Sequence, residues 1–274
     1  MRLPRHRSTI RTVLAVVALA LVGSTTACGS SDDGDEASNS AITSTTITST
    51  TTASSTITST TVPAEEPAET STADGTEPAA TSSFSIDVWA DNWAAVYVDG
   101  ELVGEDSVPI TTERSFNSET FTFEAAYPFT IAIEAKDFKE TDSGIEYIGE
   151  PNQQMGDGGL IAQVTDTATG EVVATTTSGW GALVVQEAPL NTECVDDPDP
   201  DATCEFNSID PPAGWTDADF DDGAWAVATE WSSQEVSPKD GYDEITWAED
   251  ARFVWGSDLE VDNTVLLRFT VEAG

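Results

Sequence analysis

Apolar and polar residues alternate in short runs from Phe84 to the C-terminus, and Gly, Asp, Asn or Pro separates the runs. Alternation with a period of two predicts strands that each bury one face. The predicted strands are 84–88, 93–98, 101–104, 116–123, 128–135, 160–164, 171–176, 178–185, 251–255 and 263–271. Since no long stretch has the 3.6-residue period of a helix, the pattern predicts an all-β sandwich with almost no helix.

Polar dipeptides mark the turns around the second predicted strand. Asp99-Gly100 favours the left-handed backbone of a two-residue hairpin turn. Asp91 and Asn92 stand at the boundary between the first two predicted strands. We interpret all four as turn residues, with contact to a ligand as the alternative.

The folded part of the chain is confined to residues 84–274, because no Phe, Tyr or Trp precedes Phe84. Residues 28–83 are mostly Ser, Thr, Ala, Pro and acidic residues, and they include an imperfect Ile-Thr-Ser-Thr-Thr repeat. A segment of this composition cannot bury enough apolar surface to offset its ordering entropy. We therefore expect a disordered acidic stalk over 28–83 that presents one domain.

The first 27 residues have the composition of an export signal. Basic residues between Arg2 and Arg11 precede the apolar run 13–22, which is too short to span a membrane and typical of a signal peptide. The following Thr25-Thr-Ala-Cys28 resembles the lipobox of bacterial lipoproteins. The resemblance implies that residues 1–27 are removed and that a lipid on Cys28 anchors the chain to the outer face of the bacterial cell membrane. A plain secretory signal is the alternative.

The charge balance narrows the choice of partner. The chain carries 10 Lys and Arg residues against 50 Asp and Glu residues, a formal net charge of −40. Such a surface repels nucleic acid and anionic headgroups, so we expect no nucleic-acid partner and no membrane contact beyond the anchor. It suits calcium, cationic partners, neutral glycans or solubility in saline surroundings. The one histidine, His6, lies in the export signal, which excludes imidazole catalysis and the usual zinc sites from the mature chain.

An ordered set of motifs spans the folded part. Gly214-Trp-Thr-Asp-Ala-Asp-Phe-Asp-Asp-Gly-Ala-Trp225 is followed by Ala251-Arg-Phe-Val-Trp255 and by a last strand with Leu267-Arg-Phe. With Asp91-Asn92 and Tyr97-Val-Asp-Gly100, this order resembles the galactose-binding-like jelly-roll modules attached to glycoside hydrolases of the rhamnosidase and β-galactosidase types. The resemblance implies a jelly-roll β-sandwich, non-catalytic glycan recognition and, in many such modules, one structural calcium ion.

The same resemblance assigns roles to individual residues. It implies that Phe220 and Trp225 fill the core and that Arg268 is a structural ion-pair partner. Apart from that resemblance, the spacing of Asp217, Asp219 and Asp221 is similar to a D-x-D-x-D-G calcium loop and makes them candidate calcium ligands, although Gly223 comes one place too late for an EF-hand loop. The alternative acidic cluster is Asp197, Asp199 and Asp201.

Two cysteines, Cys194 and Cys204, bracket an acidic segment and are the only cysteines after Cys28. In an exported protein, two cysteines ten positions apart predict a disulfide that closes a small loop.

Sugar rings stack on exposed aromatic faces while polar side chains bind their hydroxyls. Trp231, Tyr242 and Trp247 lie in the loop-rich segment 230–250 and are the first candidates for such a platform, joined by Trp93 and Trp180. The tryptophans assigned to the core are Trp89, Trp225 and Trp255.

These observations predict a non-catalytic, lipid-anchored, lectin-like module that binds extracellular polysaccharide or a cell-surface glycan. A structural or adhesion protein of the envelope that binds protein partners is one alternative. A glycoside hydrolase that uses only carboxylates is the other, although acidic residues are so numerous that chance carboxylate pairs are expected.

Overall fold

The structure is a computed structural model that describes residues 80–110 and 117–274. Cys28, the export signal and residues 28–79 of the predicted stalk lie outside the described residues. The strands in chain order are β1 (Ser82–Asp91), β2 (Trp93–Val98), β3 (Glu101–Glu105), β4 (Ser118–Ala125), β5 (Phe129–Lys136), β6 (Ile145–Glu146), β7 (Gln154–Met155), β8 (Gly159–Asp166), β9 (Val172–Thr175), β10 (Gly181–Glu187), β11 (Asn207–Ser208), β12 (Ala226–Val227), β13 (Thr229–Trp231), β14 (Phe253–Trp255) and β15 (Asp262–Val271).

Helix is limited to single turns in the part of the chain that the structure describes. The two α-helices, α1 and α2, are Pro200–Thr203 and Ser233–Val236, and the two 3₁₀ turns are Thr192–Asp196 and Tyr242–Glu244. None of the described helices is long and apolar enough to cross a membrane. The prediction of an all-β chain with almost no helix is confirmed for these residues.

The strands form two antiparallel sheets and one small hairpin. The first sheet has the order β13-β14-β8-β1-β4, with β9 beside β8. The second has the order β11-β10-β15-β5-β2-β3, with β12 beside β10, and β6 pairs only with β7. Each long predicted strand is present, and except for β2 the ends differ by a few residues from the predicted ones.

The inner faces of both sheets share one apolar core. Phe84, Ile86 and Val88 of β1 point into it from the first sheet, and Ile131 and Ile133 of β5 point into it from the second. These five side chains are at most 3% exposed. Because the side-chain period of a strand is two, the alternation in the sequence fixes which face of each strand lies in the core.

The outer face of the second sheet is covered by the loop 214–226. Trp215 meets the ring of Tyr97 on β2, and Trp225 packs between Trp215 and Phe220. Phe220 and Trp225 are half-buried there, outside the core between the sheets. Their predicted place in the core is therefore wrong, because this loop closes onto the back of the sheet.

Arg268 of β15 binds that loop and forms an ion pair with it, as the resemblance implied. Its Nε donates to Asp222 Oδ2 at 2.9 Å, and its other nitrogens donate to the carbonyl oxygens of Trp215 and Phe220. The Arg268 side chain is 2% exposed, whereas that of Asp222 is 40% exposed. The pair therefore ties a solvent-facing loop to a buried cation.

The predicted disulfide between Cys194 and Cys204 is confirmed, with Cα atoms 5.3 Å apart. Both cysteines are buried against Ile145 of the β6–β7 hairpin. Gln153 Nε2 donates to the carbonyl oxygens of Val195 and Asp197 at 2.6 and 2.9 Å. The disulfide loop therefore packs on the hairpin as one small apolar cluster.

The β2–β3 hairpin turn is also confirmed. Asp99 and Gly100 have φ angles of 49° and 92°, the left-handed backbone that an Asp-Gly pair favours. Asp99 Oδ1 accepts a hydrogen bond from Thr130 N at 2.8 Å, so the carboxylate also ties the turn to β5.

Candidate functional site

An aromatic cleft lies on the outer face of the first sheet. β13 and β14 are neighbours in this sheet, and the chain between them, residues 232–252, leaves the sheet and returns over its outer face. The residues that line the cleft are Ile161, Trp231, Ser232, Ser233, Tyr242, Trp247, Ala248, Ala251, Arg252 and Phe253, and its volume is about 340 Å³. We call this surface the aromatic cleft.

Local capping fixes the start of the connecting segment. Ser232 and Glu235 form a capping box, in which each side chain accepts a hydrogen bond from the backbone N–H of the other residue. The short helix α2 places Val236 against the sheet, where it is fully buried. Gly159 is needed beneath it, because a Cβ at that position would lie 2.6 Å from Val236 Cγ1.

Gln163 of β8 holds the far half of the segment. Its Oε1 accepts from Ala248 N at 2.8 Å, and its Nε2 donates to Thr246 O at 3.3 Å and to Asp87 Oδ2 at 3.0 Å. The Gln163 side chain is buried, which shields its end of these part-buried hydrogen bonds from water. One amide therefore positions the residues on either side of Trp247.

The rings of the cleft support one another. Tyr242 and Trp247 stack with ring centroids 5.9 Å apart and an interplanar angle of 18°. Tyr242 also meets Phe253 at 5.3 Å and the edge of Trp89 at 6.1 Å. Because Trp89 and Phe253 are buried, the stack stands on a rigid base.

The indole N–H groups of the cleft are already used by the protein. Trp247 Nε1 donates to Tyr242 O at 3.1 Å, and Trp231 Nε1 donates to Gly256 O at 3.3 Å. These half-buried side chains therefore have only the accessible part of their rings left for contact with a ligand. Polar atoms at its edge come from Ser233 and from Arg252, whose Nη1 donates to two backbone carbonyl oxygens at 2.8 Å.

The structure brings three of the five sugar-binding candidates together and separates the other two. Trp231, Tyr242 and Trp247 line the aromatic cleft. Trp93 lies on β2 in the other sheet, with Lys136 Nζ 4.6 Å from its ring centroid. Trp180 is 1% exposed and stacks on Phe269 in the core, so it offers no surface to a ligand. The core assignment holds for Trp89 and Trp255, which are fully buried.

The candidate calcium ligands do not converge. In residues 80–110 and 117–274, no group of three or more His, Cys, Asp or Glu side chains is arranged to hold a metal ion. This finding covers Asp217, Asp219 and Asp221 as well as the alternative acidic cluster. Asp221 instead accepts a hydrogen bond from Gly223 N at 3.1 Å, which is the role of a turn residue.

A second polar cluster, which the sequence did not predict, lies at the end where β1 crosses to β2. Asp91 and Asp137 are 0% and 2% exposed. Lys239 Nζ lies 3.2 Å from Asp91 Oδ2 and 2.9 Å from Asp157 Oδ1, and so bridges the two carboxylates. Glu146, on the β6 strand, is also buried and accepts a hydrogen bond from Gln154 Nε2 at 3.0 Å. We call Asp91, Asp137, Glu146, Asp157, Lys239 and Asn263 the buried acidic cluster.

Burial dominates the electrostatics of this cluster. It raises the pKa of Asp91 to about 8, although the charge of Lys239 acts in the opposite direction. Burial also raises the pKa of Asp137 well above its usual range, and the charges of Asp91, Glu146 and Asp157 raise it further. Burial acts to lower the pKa of Lys239, but the two carboxylates that it bridges together outweigh burial and raise the pKa. Asp91 and Asp137 are enclosed, whereas the side chains of Lys239 and Asp157 reach the surface and are 38% and 39% exposed.

Sequence reasoning interpreted Asp91 and Asn92 as turn residues and passed over Asp137. Their burial follows from contacts between segments that are far apart in the chain, for which a local pattern has no signal. The one clue was that Asp91 continues the alternation of β1 on the face of Trp89.

No protein-family model, no curated protein and no solved structure matches the chain.

Proposed function

We propose that the chain is a non-catalytic carbohydrate-binding module and that the aromatic cleft is its binding site. The observation that supports this most directly is that Trp231, Tyr242 and Trp247 line one cleft of about 340 Å³. The three residues belong to a strand, a 3₁₀ turn and a loop, so folding brings them together. Aromatic faces bind the C–H surface of a pyranose ring, and edge groups such as Ser233 and Arg252 hydrogen-bond its hydroxyls.

The charge around the cleft favours a neutral glycan over an anionic one. Exposed carboxylates follow both members of the Tyr242–Trp247 stack in the chain, namely Asp243, Glu244, Glu249 and Asp250. Sulfated or uronic-acid polymers would meet like charges there, whereas a neutral hexose polymer would not. The net charge of −40 acts in the same direction over a longer range.

The rest of the proposal comes from the sequence. A jelly-roll topology and a place in the galactose-binding-like group are supported by the motifs described above. A lipid on Cys28 and the predicted stalk, whose last two residues already belong to β1, would hold the domain at the outer face of a bacterial cell membrane. A module presented in this way would meet extracellular polysaccharide or a cell-surface glycan.

The test is an array of neutral and anionic polysaccharides, probed with the full chain and with two variants. Trp247→Ala removes one face of the stack, and Trp93→Ala makes the same chemical change to a half-buried indole on the other sheet. We expect binding to a neutral polysaccharide that Trp247→Ala weakens roughly tenfold or more, since stacked rings supply much of the contact energy in such sites. Trp93→Ala should bind like the wild type.

Loss of binding in Trp93→Ala but not in Trp247→Ala would place the site on the second sheet and contradict the proposal. An array without any bound glycan would also contradict it, and an envelope protein that binds protein partners would then be the better account. Thermal unfolding of both variants checks that neither effect comes from a misfolded domain.

A further inference from the structure

We propose that Asp91, Asp137 and Asn263 of the buried acidic cluster form an oxygen-lined site for one calcium ion. The inference does not rest on glycan binding, because these residues lie outside the aromatic cleft. The set consists of two acidic side chains and one amide. It is therefore a different kind of site from the groups of three or more His, Cys, Asp or Glu side chains that are absent from the described residues.

Strand register brings these side chains to one place. β15 pairs with β5 at Thr264 and Lys136, so Asn263 and Asp137 are the next opposed pair, and Asp137 N donates to Asn263 O at 2.8 Å. β2 pairs with β5 at Trp93 and Lys136, and Asn92 N donates to Lys136 O at 2.7 Å. Asp91, which directly precedes Asn92, therefore ends β1 beside the same corner.

Most side-chain oxygens of this set lack a hydrogen bond of good geometry. Neither carboxylate oxygen of Asp137 is in one, and the same is true of Asp91 Oδ1 and of both polar side-chain atoms of Asn263. The Asn263 side chain nevertheless lies next to the Asp137 carboxyl and lowers its pKa, although burial outweighs that effect. All three residues are at most 2% exposed. A buried polar atom without a partner costs free energy, and native proteins rarely leave several together. A cation that accepts these oxygens as ligands removes that cost.

The charge balance points to a divalent cation. Lys239 is the one cation that the described contacts place against the cluster, and it faces Asp91 Oδ2 and Asp157 rather than Asp137. Four acidic side chains therefore lie around one cation. Calcium takes carboxylate and amide oxygens in irregular arrangements, whereas magnesium requires a near-ideal octahedron.

The backbone of Gly156 packs directly against one side of the Asp137 carboxylate. A Cβ on Gly156 would lie 1.8 Å from Asp137 Oδ2. The chain before β8 therefore passes close over the carboxylate and closes the site from that side.

The test compares the full-length wild type with Asp137→Asn, Asn263→Ala and Asp221→Asn. Terbium luminescence sensitised by the aromatic residues reports binding, competition with calcium gives the calcium affinity, and thermal unfolding is followed with calcium and with chelator. We expect calcium to raise the unfolding temperature of the wild type, and Asp137→Asn and Asn263→Ala to weaken calcium binding roughly tenfold or more. Asp221→Asn, at a sequence-predicted ligand, should bind like the wild type.

Asp137→Asn keeps the shape of the protonated acid, so it should fold without calcium, and Asn263→Ala is an independent variant at the same site. A wild type that binds no calcium would overturn the inference. It would also be overturned by unchanged calcium affinity in these two variants, by loss of binding in Asp221→Asn alone, or by stabilisation with magnesium and not with calcium. Glycan binding on the array is scored separately, so either proposal can fail without the other.

Discussion

Trp231 lies directly opposite Phe253 where β13 pairs with β14. The first and last aromatic residues of the cleft are therefore fixed by one backbone register, and the segment between them begins and ends at neighbouring points of the sheet. A loop anchored in this way needs few further contacts to hold its shape. Gln163 and the Ser232–Glu235 capping box supply those contacts.

The hydrogen bonds of Gln163 should determine the position of Trp247 in the aromatic cleft, although Gln163 itself does not line the cleft. Gln163→Ala removes the hydrogen bonds to Ala248 N and Thr246 O and should lower the free energy of unfolding by about 1–3 kcal/mol. Hydrogen exchange of the backbone amides around Trp247 should become faster, and glycan affinity should fall. Gln234→Ala, at an exposed glutamine of α2, is the control and should change none of these. Unaltered exchange in Gln163→Ala would show that the amide does not hold the segment.

Arg268 should be the most costly single cation to remove. Arg268→Ala removes the partner of Asp222 and of two carbonyl oxygens. We expect the free energy of unfolding in urea to fall by about 2–4 kcal/mol, less than for a fully buried pair because Asp222 is partly hydrated. Arg268→Lys keeps the charge but not the planar fork, so it should lose less. Lys139→Ala, which breaks a surface pair with Asp142, should stay within about 0.5 kcal/mol. A loss that small for Arg268→Ala would contradict the role given to the residue.

The disulfide should stabilise the domain by restricting the conformations of the unfolded chain. Replacement of Cys194 and Cys204 by serine should cost about 2–3 kcal/mol on the chain-entropy estimate for a loop of this size. Because both cysteines pack on Ile145, the amides of β6 and β7 should exchange faster as well. Urea unfolding of the variant against the wild type measures the first effect. Equal stabilities would mean that packing alone holds the loop.

Asp106 should make stability depend on pH. Burial raises the pKa of Asp106 from 3.8 to about 6, and the charge of Glu119 adds to the shift. The folded state therefore binds the proton more tightly than the unfolded state, so the contribution is most favourable at acidic pH and is lost as the pH rises through about 6.

The variant Asp106→Asn isolates that contribution. It keeps an acceptor for Val108 N, which donates to Oδ1 at 3.0 Å, but it has no charge to bury. We expect it to be more stable than the wild type at neutral pH and similar in acid, by unfolding temperature measured across the pH range. The exposed Asp142→Asn makes the same charge change and should keep the wild-type slope. Parallel curves for Asp106→Asn and the wild type would refute the assignment.

Much of the fold could be predicted because strand alternation is a local property. β2 was predicted with both ends correct, and the Asp99-Gly100 turn followed from the backbone preference of the two residues. Tyr242 and Trp247 were recognised as platform candidates because aromatic residues in a polar, loop-rich segment have no strand to bury them.

The errors come from contacts between distant segments. Trp180 was expected at the surface, but its indole N–H is satisfied by Thr175 O inside the core. Phe220 and Trp225 were expected in the core because of the family resemblance. Their motif itself does not distinguish the inner face of a sheet from the outer face. Asp91 and Asp137 are buried together because the end of β1 leads into β2 beside the end of β5, a relation that exists only after folding.

The most direct test of the central claim is an NMR titration of the tryptophan indole N–H signals with an oligosaccharide taken from the strongest hit on the array. The signals can be assigned from single Trp→Phe variants. The account predicts that the signals of Trp231 and Trp247 shift in proportion to occupancy while those of Trp93, Trp180 and Trp255 do not. Shifts confined to Trp93, or binding without any shift at Trp231 and Trp247, would contradict the claim that the aromatic cleft binds carbohydrate.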